Sequence, residues 1–148
     1  MGAFELGTDG PAALVVGVDG SESSLRAAAY ALGLARRQRA RLVAVYARRE
    51  PGSFLTFGGT AVQAIVEAQG EVEAQLLGML DEQAREWGVD ARLVVRSGDP
   101  LRVLGDVATE VRASGIIVGA SAGLGHKIAG SLAIRLVRAA RWPVTVVP

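Results

Sequence analysis

The chain has 148 residues, half of them hydrophobic, with 16 basic and 15 acidic side chains and a formal net charge of +1. That size fits one compact domain. With no cysteine and one histidine, disulfides, iron–sulfur clusters and a conventional zinc site lack their ligands, which leaves room only for a carboxylate-bound magnesium. No basic block marks a nucleic-acid groove, no apolar run approaches the roughly 20 residues of a membrane span, and the N-terminus carries no basic region leading into an apolar core. The chain is therefore expected in the cytoplasm, with neither nucleic acid nor membrane as a partner.

Residues 1–12 mix glycine, proline and polar residues without a period and are expected to form a flexible tail ahead of a domain spanning 13–148. From Ala13, ALVVGV is a short apolar strand running into DGSESS, where Ser21 is a candidate N-cap. The helix it opens has Leu25, Ala28, Ala29, Leu32 and Ala35 on its apolar face, and the arginines at 36, 37, 39 and 41 mark its solvated end. RLVAVYA is the second strand, followed by a long loop from Arg48 to Gly59. Thr60 and Gln63 then have capping-box spacing, and Val62, Ile65, Val66, Gln69, Val72, Leu76, Met79, Leu80 and Trp87 follow at helical intervals. This helix would run ~27 residues, about 40 Å, with Gly70 and Gly78 as the places where it would break.

A third strand, ARLVVR, leads into SGDP, in which Asp99 caps a helix whose first position is Pro100. Leu101, Leu104, Val107, Ala108 and Val111 form its stripe. The fourth strand, GIIVGA, runs into the glycine-rich loop ASAGLGHKIAGS, which holds the single histidine, His126, and the single lysine, Lys127. A last helix is expected to bury Leu132, Ala133, Leu136, Val137 and Ala140, and WPVTVVP closes the chain as a strand.

Strand and helix alternate four times before the last strand, and the strands are continuous β-branched runs. That pattern indicates an open doubly wound α/β domain, a parallel sheet with helices on both faces. In such sheets ligands bind beyond the carboxyl ends of the strands, where the strand order reverses. Two strand ends carry glycine-rich connections, VGVDGS after the first strand and VGASAGLGHKIAGS after the fourth. If those strands are neighbours, both loops line one crevice.

Glycines let backbone N–H groups approach an anion, and a helix N-terminus adds a partial positive charge. Gly130 and Ser131 stand at such an N-terminus, and Lys127 adds a point charge. The same residues also fit a tight turn with Ser131 as an ordinary N-cap. The loop is not a Walker A motif, because Ser131 stands where the lysine belongs. Asp19, at the end of the first strand, is placed either to accept hydrogen bonds from a ribose or a base or to cap the first helix. His126 has no evident partner for proton transfer, and no nucleophile elbow or carboxylate cluster marks an enzyme.

VVGVDGSESSLRAAAYALGLA, RLVAVY, and IIVGAS followed by a glycine loop and GSLAIRLVRAARWPVTVVP together resemble the universal stress protein family over about residues 13–148. The resemblance implies a five-stranded parallel sheet in order 3-2-1-4-5, a homodimer formed through the last strand, and a role in stress regulation with protein partners. Some members bind ATP between the first and fourth strands. Carried onto this chain, such a site comprises Asp19, with Gly17 and Val18 leading into it, Val45 on the second strand, and Gly119, Gly130 and Ser131 around the loop, where Gly123 or Gly125 would substitute for a motif glycine and Lys127 would compensate. The loop departs from the ATP-binding pattern: residues 120–129 separate Gly119 from Gly130, two fewer than is usual, and Ala122 stands at a motif glycine. The expectation is accordingly an adenine nucleotide, ATP or a smaller anion such as cyclic AMP, with or without magnesium, whose binding orders the loop after the second strand. The alternative is a homodimeric adaptor of the same family that works without nucleotide. Slow ATP hydrolysis lacks a positioned nucleophile.

Overall fold

In the computed structural model, which describes residues 12–50, 52, 58–120 and 131–148, Ala13–Gly17 (β1), Arg41–Arg48 (β2), Ala91–Ser97 (β3), Ala113–Gly119 (β4) and Val144–Val147 (β5) form one parallel sheet. Its order is β3-β2-β1-β4-β5. Four helices connect the strands, Glu22–Gln38 (α1), Gly59–Trp87 (α2), Pro100–Glu110 (α3) and Ser131–Ala139 (α4). The expected N-terminal tail up to residue 11, most of the loop after β2, and Gly123, Gly125, His126, Lys127 and Gly130 lie outside the described residues.

Strand side chains alternate between two cores. Leu14, Val16 and Val18 of β1 and its following turn join Leu42, Ala44 and Tyr46 of β2 against α1 and Leu76 of α2. Val15, Val43, Val45, Ile116 and Val118 face the other way, against Leu104 and Val107 of α3 and Ala133 and Leu136 of α4. Both faces of the sheet are covered, which is why its strands carry apolar residues at consecutive positions. Each fully buried leucine or valine contributes about 1.5–3 kcal/mol. The strand order reverses between β1 and β4, where the chain's first crossover runs toward β2 and its last toward β5.

Caps fix the helix ends as the sequence indicates at two places. The Ser21 hydroxyl accepts a hydrogen bond from the Ser24 N–H at 3.3 Å, and the Asp99 carboxylate accepts one from the Arg102 N–H at 3.2 Å, with Pro100 at the first helical position. Elsewhere the structure corrects the pattern. On α1 the buried residues are Ser23, Ser24, Ala27, Ala31, Leu32 and Ala35, while Ala29 is exposed. Alanine occurs on several faces of this helix, so hydrophobicity alone does not set its rotation. Its first turn is tied to the end of β1 by the Asp19 N–H, which donates to the Ser24 hydroxyl at 3.2 Å.

The second helix starts one residue before Thr60 and has no side-chain cap; Gln63 instead donates to Glu67 at 2.9 Å. It passes through Gly70 and Gly78 without a break, and a Cβ at either position would meet nothing within 4 Å. Only Leu76 and Ala84 are buried on it, and the Arg36 guanidinium lies over the exposed Trp87 ring, 4.8 Å from its centroid. On α4, Ala133 and Leu136 are buried but Val137 is 58% exposed. Ala140 lies past the helix end at φ 51° and is exposed too. This short helix presents one side to the sheet near its β5 edge, so its apolar stripe is wider than the surface available to cover it.

Candidate functional site

The reversal point becomes a site because of how β1 ends. Val18 continues the strand pairing by donating its N–H to the Val45 carbonyl at 2.9 Å. The chain then turns through Gly20, whose φ of 84° favours glycine, before α1 begins. Asp19 is held in that turn. One carboxylate oxygen, Oδ1, accepts the Ser21 N–H at 2.9 Å, while the Asp19 N–H donates to the Ser24 hydroxyl at 3.2 Å, which itself donates to the Ser21 carbonyl at 2.9 Å. Capping α1 therefore falls to Ser21, and Asp19 faces solvent at the turn.

Partial burial would raise the Asp19 pKa, but hydrogen bonds from the Ser21 side chain and backbone and from the Ser24 side chain outweigh it and hold the group below its ordinary 3.8. At neutral pH it is a carboxylate, an acceptor only.

Gly119 ends β4 directly beneath the first turn of α1. A Cβ there would lie 2.4 Å from the Ser23 carbonyl oxygen and 2.6 Å from its carbon. The bare glycine lets strand and helix approach and leaves main chain exposed to the space between β1 and β4.

That space is a cleft of about 500 Å³. Five of the residues singled out from sequence line it together: Gly17, Val18, Asp19, Val45 and Gly119. Ser131 opens α4 beside Leu132 and Ala133, which also line the cleft. Leu104 of α3 and Val118 complete an apolar wall, which suits a flat ring. Sequence reasoning missed the contributions of Ser23, Ser24, Leu104 and Arg49, although the two-residue period from Val45 through Ala47 to Arg49 places all three on one side of the β2 line. Glu22 and Arg26 also border the cleft and pair with each other at 2.8 Å. Among the described residues no group of three histidine, cysteine, aspartate or glutamate side chains is positioned to hold a metal, and none of the helices is long and apolar enough to cross a membrane.

Fold and cleft define an open parallel α/β domain with a ligand-sized crevice at its topological switch point. Residues 13–148 match the model of the universal stress protein family, and the chain belongs to that family. A universal stress protein of Methanocaldococcus jannaschii is 31% identical over 137 residues, covering 90% of this chain and 80% of its own. Among solved structures, a universal stress protein family member from Burkholderia pseudomallei superposes with a TM-score of 0.74 at 30% identity, covering 93% of this chain and 96% of the other. A universal stress protein in complex with cAMP gives 0.69 at 24%, covering 93% and 97%. One from Archaeoglobus fulgidus in complex with dAMP gives 0.64 at 23%, covering 93% and 98%.

Proposed function

We propose that this universal stress protein binds an adenine nucleotide in the β1–β4 cleft and acts as a regulatory protein whose output is a change of shape, not turnover. The observation that carries this is the convergence of an ionised Asp19, the apolar wall of Val45 and Leu104, and the bare Gly119 main chain on one crevice. Asp19 would accept hydrogen bonds from ribose hydroxyls, the apolar wall would take the base, and the start of α4 would face the phosphate. Likeness to folds captured with cAMP and dAMP supports a ligand with one phosphate, in keeping with a glycine loop shorter than that of ATP-binding members. Magnesium would have Asp19 and Glu22 to approach, and Glu22 is already engaged by Arg26.

Calorimetric titration of cAMP and ATP tests this. Saturable binding weakened by Asp19→Ala is expected, and absence of heat at millimolar nucleotide would overturn it. A second reading, a nucleotide-independent homodimeric adaptor, is favoured by the β5 edge, where all four residues remain partly exposed. Such an edge invites pairing with another strand. A monomer mass by light scattering at micromolar concentration would remove its dimer, and nucleotide retained through purification would remove its independence.

A further inference from the structure

Arg48 and Arg49 leave the end of β2 with different surroundings. Arg48 forms an ion pair with Glu73 of α2. Arg49 has its N–H held by the Gln69 side-chain oxygen at 2.9 Å, while the residue lines the cleft. Its guanidinium is engaged by no acid among the described residues, in contrast to Arg26, Arg48, Arg96 and Arg135, each of which pairs with a carboxylate.

The pairing of Gly17 with Val45 sets the level of the two strand ends. Beyond that pair Asp19 sits in the turn after β1, while Arg49 follows the end of β2 at Arg48, and both line the cleft with Val45 and Ala47. Among the described residues, four charged side chains border the cleft. Glu22 and Arg26 neutralise each other, which leaves one carboxylate, Asp19, and one guanidinium, Arg49. With Arg49 at the mouth, the carboxylate serves neutral hydroxyls while a separate cation serves the anion.

We propose that Arg49 adds a guanidinium contact to the phosphate, from the β2 side and opposite the start of α4, and makes this cleft select a nucleoside phosphate over the nucleoside. The assignment rests on the nucleotide-binding function proposed above. A guanidinium presents paired N–H donors in a fork that matches two phosphate oxygens, and such charge-assisted bonds are stronger than neutral ones. The pinned Arg49 main chain limits where that fork can swing.

The experiment is calorimetric titration of adenosine, cAMP and ATP into the wild type, Arg49→Ala and Arg49→Lys, with thermal melts of each protein without ligand. Arg49→Ala is expected to weaken cAMP and ATP about tenfold or more while leaving adenosine within about twofold and the melt unchanged. Arg49→Lys should recover part of the loss, because it keeps the charge and loses the fork. Unchanged cAMP and ATP affinity in Arg49→Ala, with normal wild-type binding, would overturn the assignment and leave the nucleotide site standing. An equal loss for adenosine would also overturn it, since Arg49 would then shape the cleft instead of reading the phosphate. A wild type that bound none of the three would overturn both proposals at once.

Discussion

Adding one methyl group at Gly119 tests the packing that creates the cleft. In Gly119→Ala the new Cβ would sit 2.4 Å from the Ser23 oxygen, 2.6 Å from its carbonyl carbon and 3.0 Å from the Ser24 nitrogen. All three are main-chain atoms, so no side-chain rotation relieves the overlap. Either β4 or the first turn of α1 must move, and that turn carries the Ser21 and Ser24 hydrogen bonds that fix Asp19. Overpacking of this kind costs about 1–3 kcal/mol. In a domain of this size each kcal/mol moves the melting temperature by roughly 2–4 °C, so a fall of about 2–12 °C is expected. Gly78→Ala is the control, because its Cβ would meet nothing within 4 Å on an exposed helical face. It should stabilise by about 0.5–1 kcal/mol through helix propensity. Urea unfolding followed by circular dichroism gives both values, and calorimetry gives nucleotide affinity for each variant. A Gly119→Ala protein as stable as the wild type, with normal nucleotide binding, would refute the close approach of strand and helix as the origin of the site.

Three further outcomes are expected. Leu136→Ala removes a fully buried side chain from the α3/α4 face and should cost about 2–5 kcal/mol in urea unfolding. Asp99 both caps α3 and forms a two-pronged pair with Arg135, at 2.9 Å on each arm, so Asp99→Ala should lose about 1–2 kcal/mol. Arg135→Ala should lose less, because the pair is close to half exposed; equal losses would mean that the cap adds nothing. Asp19 has a folded pKa below its ordinary 3.8, so the stability it contributes is present above that value and is lost as pH falls through the folded pKa. The stability gap between wild type and Asp19→Asn should therefore be open at about pH 6 and close under strong acid, and a gap that stayed constant would contradict the hydrogen-bonded turn.

Much of the fold was legible in the residues. Continuous β-branched runs marked strands buried on both faces, and Ser21 and Asp99 announced two helix starts because a cap is a local device. Strand order was not legible from pattern, since no residue in β1 specifies β4 as its neighbour; it came with the family resemblance. The rotation of α1 was hidden by its alanines, and Val137 misled because hydrophobicity does not say how much sheet is present to cover a helix. At the site, Asp19 and Val45 were visible as strand-end residues. The reason for Gly119 was not, because its requirement comes from Ser23, far away in sequence. Arg49 was hidden for a related cause: one arginine among many reads as solvated surface until the fold brings the end of β2 to the cleft.

The most direct test of the nucleotide site is calorimetric titration of cAMP into freshly purified wild-type protein and into Asp19→Ala. The account predicts saturable one-site binding to the wild type and a clear loss of affinity in the variant. Absence of binding to the wild type at millimolar cAMP and ATP, or equal affinity in the two proteins, would contradict it.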